Sequence, residues 1–285
     1  MGGYGLLSQT LAALREAGAV PRKRLGQHFL VDDNIARLIV ETATAAGSER
    51  ILEIGPGLGL LTAQLAARCH SLIAVEKDAT LARLAAWRLS PHPHARVLYE
   101  DFLKADLRAL LGSGTWVVVG NLPYSITSPI LFRLMEQRRS FSRLVLMMQR
   151  QVAQRATAQP GGKDFSLLSI LVQMFCETRL AKTVSPNCFY PAPKVESAIV
   201  ELTTRRAPAA KVSDEGAFIA FCKRLFQQRR KQMLTILRGM FPNQSRESLA
   251  AALAQADVVP ERRPEQLGIP VLAATYRALC EQETP

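Results

Sequence analysis

From about residue 50, short apolar runs alternate with longer stretches whose small and apolar residues recur at i, i+3 and i+4. Largely apolar runs at 51–54, 72–75, 96–99 and 116–119 each end in a polar or glycine-rich turn, and the helical period fills 60–67 and 79–89 between them. This alternation predicts βαβ units and a parallel sheet. A further buried strand is expected at 144–148. Segments 175–181 and 197–203 alternate as hairpin strands with one face in water do, and the proline-rich stretch 186–194 between them suits neither helix nor strand. Past residue 204 the pattern changes: Arg205-Arg-Ala-Pro-Ala-Ala210 reads as a linker, and only helical periods follow, at 215–240, 246–256 and 271–281. The expected division is an N-terminal extension (1–20), an α/β domain (21–206) and a small helical domain (207–285).

At 285 residues the chain is long enough to bury a core without disulfides or metals, and 48% hydrophobic with 21% charged residues excludes a disordered protein. Charge changes the picture more. Lys and Arg number 36 against 24 Asp and Glu, a net charge of +12, which points to a polyanionic partner, nucleic acid first. Eleven basic and eight acidic residues follow residue 207, so +9 of the +12 falls before it and gives the α/β domain much of any nucleic-acid surface. Five scattered cysteines without a CxxC fit neither a disulfide framework nor a zinc ribbon; they suit a reducing, cytoplasmic compartment. No apolar run reaches the roughly 18 residues of a membrane span. Leu6, Leu7, Leu11 and Leu14 sit at helical spacing, with Arg15 after them rather than before, so the extension reads as a short docking helix or a tail rather than a leader.

Two constellations carry candidate chemistry. Glu53-Ile-Gly55-Pro-Gly57-Leu-Gly59 lies between a strand and a helix, where glycines allow a tight turn and close backbone approach to a ligand. Its G-x-G-x-G spacing differs from the dinucleotide fingerprint. Glu76 ends the next strand and can accept hydrogen bonds from ribose hydroxyls; Asp101 ends the third and could receive an adenine amino group, with Phe102 or Leu103 against the ring. This pattern is one that S-adenosylmethionine enzymes use, and acidic residues suit a sulfonium better than a pyrophosphate. The second constellation, Asn121-Leu-Pro-Tyr124, follows the fourth strand. Asn offers an acceptor, Pro123 is expected to leave its carbonyl free, and Tyr124 offers a flat face for a base turned out of its helix. His92-Pro-His94 has no Cys or carboxylate at metal spacing, so no metal is expected.

Arg22-Lys-Arg-Leu-Gly-Gln-His-Phe-Leu30, Glu53–Gly59, Asn121–Tyr124 and Phe189-Tyr-Pro-Ala-Pro-Lys-Val-Glu-Ser197 together resemble the ribosomal RNA adenine N6-dimethyltransferases, over about residues 21–204 and in that family's motif order. Phe226-Gln-Gln-Arg-Arg-Lys231 and Arg263-Pro-Glu-Gln-Leu267 resemble the small-subunit branch, the one linked to kasugamycin resistance. The resemblance implies a class I S-adenosylmethionine-dependent methyltransferase fold, a Rossmann-like seven-stranded sheet carrying a small helical C-terminal domain. It implies S-adenosylmethionine as cofactor, S-adenosylhomocysteine as product and no metal. The implied substrate is two adjacent adenosines of the 3′-terminal hairpin of small-subunit rRNA, in a nearly assembled subunit, each dimethylated at N6 by a monomeric, cytoplasmic enzyme. His28, Leu30, Glu53, Gly55, Gly57, Gly59, Glu76, Asp101, Phe102 and Asn121 match cofactor positions; Asn121, Pro123, Tyr124 and Phe189 match positions around the target base. Many members carry Asn at the position of His28. Met148-Gln-Arg-Gln151 and Phe165-Ser166 also depart from common family runs, without touching the cofactor or amine positions. The alternatives are a large-subunit rRNA methyltransferase, a DNA adenine methyltransferase, in which a second proline would usually stand where Leu122 does, and a mainly non-catalytic assembly checkpoint.

Overall fold

The computed structural model describes residues 5–22, 25–47 and 49–281. Lys23 and Arg24 of the first motif and residues 1–4 of the extension lie outside them. The chain opens with helix α1 (Leu6–Glu16), a two-residue strand β1 (Phe29–Leu30) and helix α2 (Asp33–Ala43). Strands β2 (Arg50–Ile54), β3 (Ser71–Glu76), β4 (Ala95–Tyr99) and β5 (Trp116–Asn121) follow, with α3 (Leu60–Ala66), α4 (Ala79–Arg88) and α5 (Leu107–Leu111) between them. Helix α6 (Thr127–Glu136) leads to β6 (Phe141–Gln149), then α7 (Arg150–Thr157), α8 (Leu167–Phe175), β7 (Cys176–Val184), β8 (Phe189–Tyr190) and β9 (Ser197–Thr204). Helices α9 (Glu215–Gln227), α10 (Met233–Met240), α11 (Arg246–Gln255) and α12 (Ile269–Cys280) complete it.

The expected Rossmann-like sheet is present. Seven strands run in the order β4-β3-β2-β5-β6-β9-β7. β2 to β6 pair in parallel, and β9 runs antiparallel to β6. β2 and β5 are buried almost throughout, which is why the sequence shows them as unbroken apolar runs. The order reverses between β2 and its neighbours β3 and β5, so the loops leaving their carboxyl ends open a crevice at that edge. Asp32 caps α2 and Asp78 caps α4, each accepting two backbone N–H groups.

The chain forms two compact units, 1–153 with 178–204, and 154–177 with 205–285. The sequence division kept 154–177 with the α/β part; here that stretch clusters with the C-terminal helices. Helix α8 is apolar nearly all round and packs on α9, while the Arg205 and Ala209 amides donate to the Phe175 and Met174 carbonyls. Around them Phe218 and Tyr276 meet edge-on at 5.7 Å, and Cys222, Met233 and Leu237 are buried. The helix expected over 215–240 is two helices. The run Gln227-Gln-Arg-Arg-Lys-Gln232 offers no apolar side chain to hold a helix to the core; a turn closes from the Lys231 N–H to the Gln228 carbonyl, and Met233 N–H bonds the Arg262 carbonyl.

Candidate active site

A cavity of about 260 Å³ lies at the carboxyl ends of β2, β3 and β5. Its floor is the glycine loop, and each glycine there answers a different constraint. Gly55, Gly57 and Gly59 all have positive φ, at 69°, 58° and 75°. A Cβ on Gly55 would meet nothing within 4 Å, so the backbone there can be approached closely. On Gly57 it would press on the Phe29 ring at 3.2 Å. On Gly59 it would lie 2.8 Å from Ala85 Cα in α4. Gly59 is therefore a packing residue, off the cavity wall, which corrects its placement among the ligand-binding positions.

Glu76 braces this loop. Its Oε2 accepts the Gly57 N–H at 3.0 Å and its Oε1 the Asp78 N–H at 2.9 Å. Burial raises its pKa, opposed by these two amides. Each oxygen keeps a lone pair for a ligand on the cavity side. Glu53 is 2% exposed, lines the cavity, and has no hydrogen-bond partner at Oε2 among the described residues. Burial, eased by the nearby Thr62 hydroxyl and reinforced by the charge of Glu76, pushes its pKa up to about 8. The folded protein thus holds a proton that the unfolded chain has given up between the ordinary value of 4.5 and about 8, so stability falls as pH rises through that window. The thermal midpoint of the free protein should decline from pH 5 to pH 9, and Glu53→Gln should flatten the decline. An equally steep decline in the variant would assign it to other groups.

Asp101 is not on the wall. Its carboxylate turns to Lys77, 2.6 Å from Nζ, and accepts the Leu103 N–H. Burial by itself would raise its pKa, but the Lys77 hydrogen bond, the Leu103 amide and the charges of Lys77 and Lys104 hold it below the ordinary value. Glu100 and Phe102, on either side, line the cavity instead.

The opposite wall is a strap from the first motif. Arg22 and Gln27 both reach Asp78 at the N-terminus of α4, the former at 3.0 Å. β1 pairs with β8, placing Phe29 opposite Tyr190 and Leu30 opposite Phe189, and the Val31 N–H donates to the Cys188 carbonyl. His28, Phe29 and Leu30 line the cavity; His28 Nδ1 lies 2.7 Å from the Pro191 carbonyl oxygen. Phe189 does not line it. Side chains alternate along β8, so Phe189 (3% exposed) enters the core with Leu30 and Ile199, while Tyr190 is 38% exposed. The expectation that Phe189 holds a base is corrected: its work is to seat the strap.

Asn121 ends β5 at the cavity. Its Nδ2 donates to the His28 carbonyl at 2.8 Å, which fixes the amide and leaves Oδ1 without a donor among the described residues. The Pro123 carbonyl is not free, contrary to expectation. It accepts the Ile126 N–H at 3.1 Å, closing the 3₁₀ turn Tyr124–Ile126, and the Thr127 hydroxyl at 3.0 Å, so both lone pairs are taken. The Leu122 carbonyl, one residue back on the same wall, accepts no hydrogen bond among the described residues. The Tyr124 ring stacks on His28 (centroids 5.5 Å apart, planes at 21°), and its hydroxyl lies 2.6 Å from Ser197 Oγ. Burial raises the Tyr124 pKa, with the Ser197 bond opposing. Sequence reading missed Ser197's contact, and it missed the apolar lining from Leu58, Leu61, Leu81 and Ile130, which look like any core positions. Among the described residues no group of His, Cys, Asp and Glu could hold a metal, and no helix is long and apolar enough to cross a membrane.

Residues 19–268 match the family model for ribosomal RNA adenine dimethylase. The chain is 41% identical to ribosomal RNA small subunit methyltransferase A of Moorella thermoacetica, across 95% of this chain and 96% of the relative. It is 39% identical to the protein of that name in Geobacter metallireducens, across 93% and 98%. Among solved structures, the 23S rRNA methyltransferase ErmE is 27% identical with a TM-score of 0.69, covering 89% of this chain and all of its own. A dimethyladenosine transferase from Plasmodium falciparum shares the fold with a TM-score of 0.78 at 24% identity, across 89% and 98%. The glycine loop, the amide-fixed Asn121 and the stacked Tyr124 thus sit in a chain matched nearly end to end by rRNA-modifying relatives, and it belongs to the ribosomal RNA adenine dimethylase family.

Proposed function

We propose that this protein uses S-adenosylmethionine to dimethylate N6 of two adjacent adenosines in the 3′-terminal hairpin of small-subunit rRNA, acting as a cytoplasmic monomer on a nearly assembled subunit. The observation that carries the chemistry is the fixed Asn121 amide, whose Oδ1 is left to accept a hydrogen bond at the cavity. The small-subunit substrate is favoured over the large-subunit one by the relatives: 41% and 39% identity to small-subunit enzymes against 27% to ErmE.

The cavity fits the cofactor. Open space at Gly55 lets a ligand lie against the backbone, Glu76 has lone pairs for ribose hydroxyls, and Glu53 Oε2, unpartnered among the described residues, is open to a hydrogen bond with the ligand. Gly57, His28, Leu30 and Phe102 line the remaining wall. When bound, S-adenosylmethionine supplies an electrophilic methyl on positively charged sulfur. The chain must make the adenine amine a better nucleophile, because its lone pair is delocalised into the ring. Asn121 Oδ1 and the Leu122 carbonyl accept its two N–H bonds, draw the nitrogen toward tetrahedral geometry and aim its lone pair at the methyl carbon. Bound there, the cofactor would give up its methyl to that nitrogen and leave as S-adenosylhomocysteine with the C–S electron pair on sulfur, and the alkylated nitrogen's proton would pass to water. Tyr124 stacks on the ring, its tilt set by Ser197 and His28. No general base is needed; the rate comes from positioning and electrostatics. In the helical unit, Arg229 is engaged by Glu265 and the Lys163 carbonyl, which leaves Arg230 and Lys231 exposed for RNA phosphates.

The test is methyl transfer from labelled S-adenosylmethionine to unmodified small subunits, unmodified large subunits and duplex DNA, with products digested to nucleosides. N6,N6-dimethyladenosine from small subunits alone is expected. Product from large subunits or DNA would overturn the substrate, and small subunits that bind without product would overturn the catalytic reading.

A further inference from the structure

Helix α1 precedes the family match, which begins at residue 19, and none of the four motifs includes it. Its buried positions are Leu6, Thr10, Ala13 and Leu14, a single stripe in which Thr10 is the one polar member. Ala13 and Leu14 pack on Leu58 of the glycine loop and Leu81 of α4, and the Leu6 N–H reaches Asp33 Oδ2 at 3.3 Å. The helix is thereby fastened to the glycine loop that floors the cavity and to α4, whose Leu81 lines it. Thr10 is 0% exposed, lines that cavity, and its Oγ1 has no hydrogen-bond partner among the described residues. A helical threonine ordinarily bonds the carbonyl four residues back or turns to water; this one does neither. Valine has the same shape without the unpaired hydroxyl, so nothing in the free protein's packing favours threonine here.

We propose that α1 is a wall of the cofactor site and that the Thr10 hydroxyl hydrogen-bonds a polar group of bound S-adenosylmethionine or S-adenosylhomocysteine. The inference rests on the cofactor reading above. A hydroxyl both donates and accepts, so it can meet an amino-acid or a ribose group of the ligand. The helix thus serves the cofactor rather than docking to another molecule.

The test uses the full chain and S-adenosylhomocysteine, measured by calorimetric binding and by the thermal midpoint without ligand. Thr10→Val should leave the ligand-free midpoint unchanged or higher, because a buried unpaired hydroxyl is removed, and should raise the Kd about tenfold. Thr10→Ser, which keeps the hydroxyl, should bind within about threefold of wild type. Wild-type affinity in Thr10→Val would overturn the inference. So would a fall in the ligand-free midpoint with loss of binding in both variants, the mark of a purely structural residue. Failure of the wild-type protein to bind S-adenosylhomocysteine would overturn the cofactor reading itself and this inference with it.

Discussion

Asn121→Ala should lower the turnover of methyl transfer at least about a hundredfold, or roughly 2.7 kcal/mol of transition-state stabilisation. It should leave S-adenosylhomocysteine affinity and binding to small subunits within about threefold. The amide's geometry is the reason. Its Nδ2 is committed to the His28 carbonyl, so Oδ1 is the atom presented to the cavity. An acceptor that shapes the amine matters most as nitrogen becomes tetrahedral, so its loss appears in kcat rather than in binding. Asn121→Asp sharpens the test. It keeps an acceptor but cannot donate to His28, and it sets a carboxylate against that carbonyl. The Asp variant should therefore be nearly as impaired as Ala. Near-normal turnover in either variant would remove Asn121 from the reaction. A matching fall in cofactor affinity would make it a binding residue instead.

Glu76→Ala should weaken S-adenosylhomocysteine binding about a hundredfold. The carboxylate stands between the glycine loop and the N-terminus of α4, accepting the Gly57 and Asp78 amides. Its removal takes away the lone pairs proposed for the ribose and also leaves two buried N–H groups unpaired, each costing about 1–3 kcal/mol. Those two effects can be separated. Glu76→Gln retains one good acceptor for the backbone and should recover much of the thermal midpoint lost in Ala, while its cofactor affinity remains at least about tenfold below wild type. Unchanged affinity in both variants would take Glu76 out of the cofactor site. Affinity that merely follows the midpoint would reduce it to a brace for the loop.

Much of the architecture is local in origin and could be read along the chain. Strands buried on both faces must be largely apolar, so β2, β3 and β5 announce themselves, and their carboxyl ends carry Glu53 and the glycine loop, Glu76 and Asn121 because strand ends are where an α/β sheet presents polar groups. The motifs at Gly55 and Asn121 were legible for the same reason: backbone freedom and amide chemistry belong to single residues. What each neighbour does was not. Gly59 and Gly57 look alike in sequence, yet one fits against Ala85 and the other against the Phe29 ring. Pro123 offers a carbonyl like any other until the 3₁₀ turn Tyr124–Ile126 and the Thr127 hydroxyl at the start of α6 take both of its lone pairs.

The parallel strands, the glycine loop, the Asn-Leu-Pro-Tyr turn and the net positive charge follow from periodicity, residue types and spacing within single segments, so they are visible in the chain before it folds. Which side chains face the cavity is settled by the fold. The strap is held by β8, some 160 residues away in sequence, and that pairing sends Phe189 into the core. Asp101 is turned aside by Lys77 from the neighbouring strand's end. Thr10 reaches the cavity because Ala13 and Leu14 find their cover on the glycine loop and α4. These outcomes depend on contacts between segments distant in the chain, where packing and hydrogen-bond partners are settled by proximity in space.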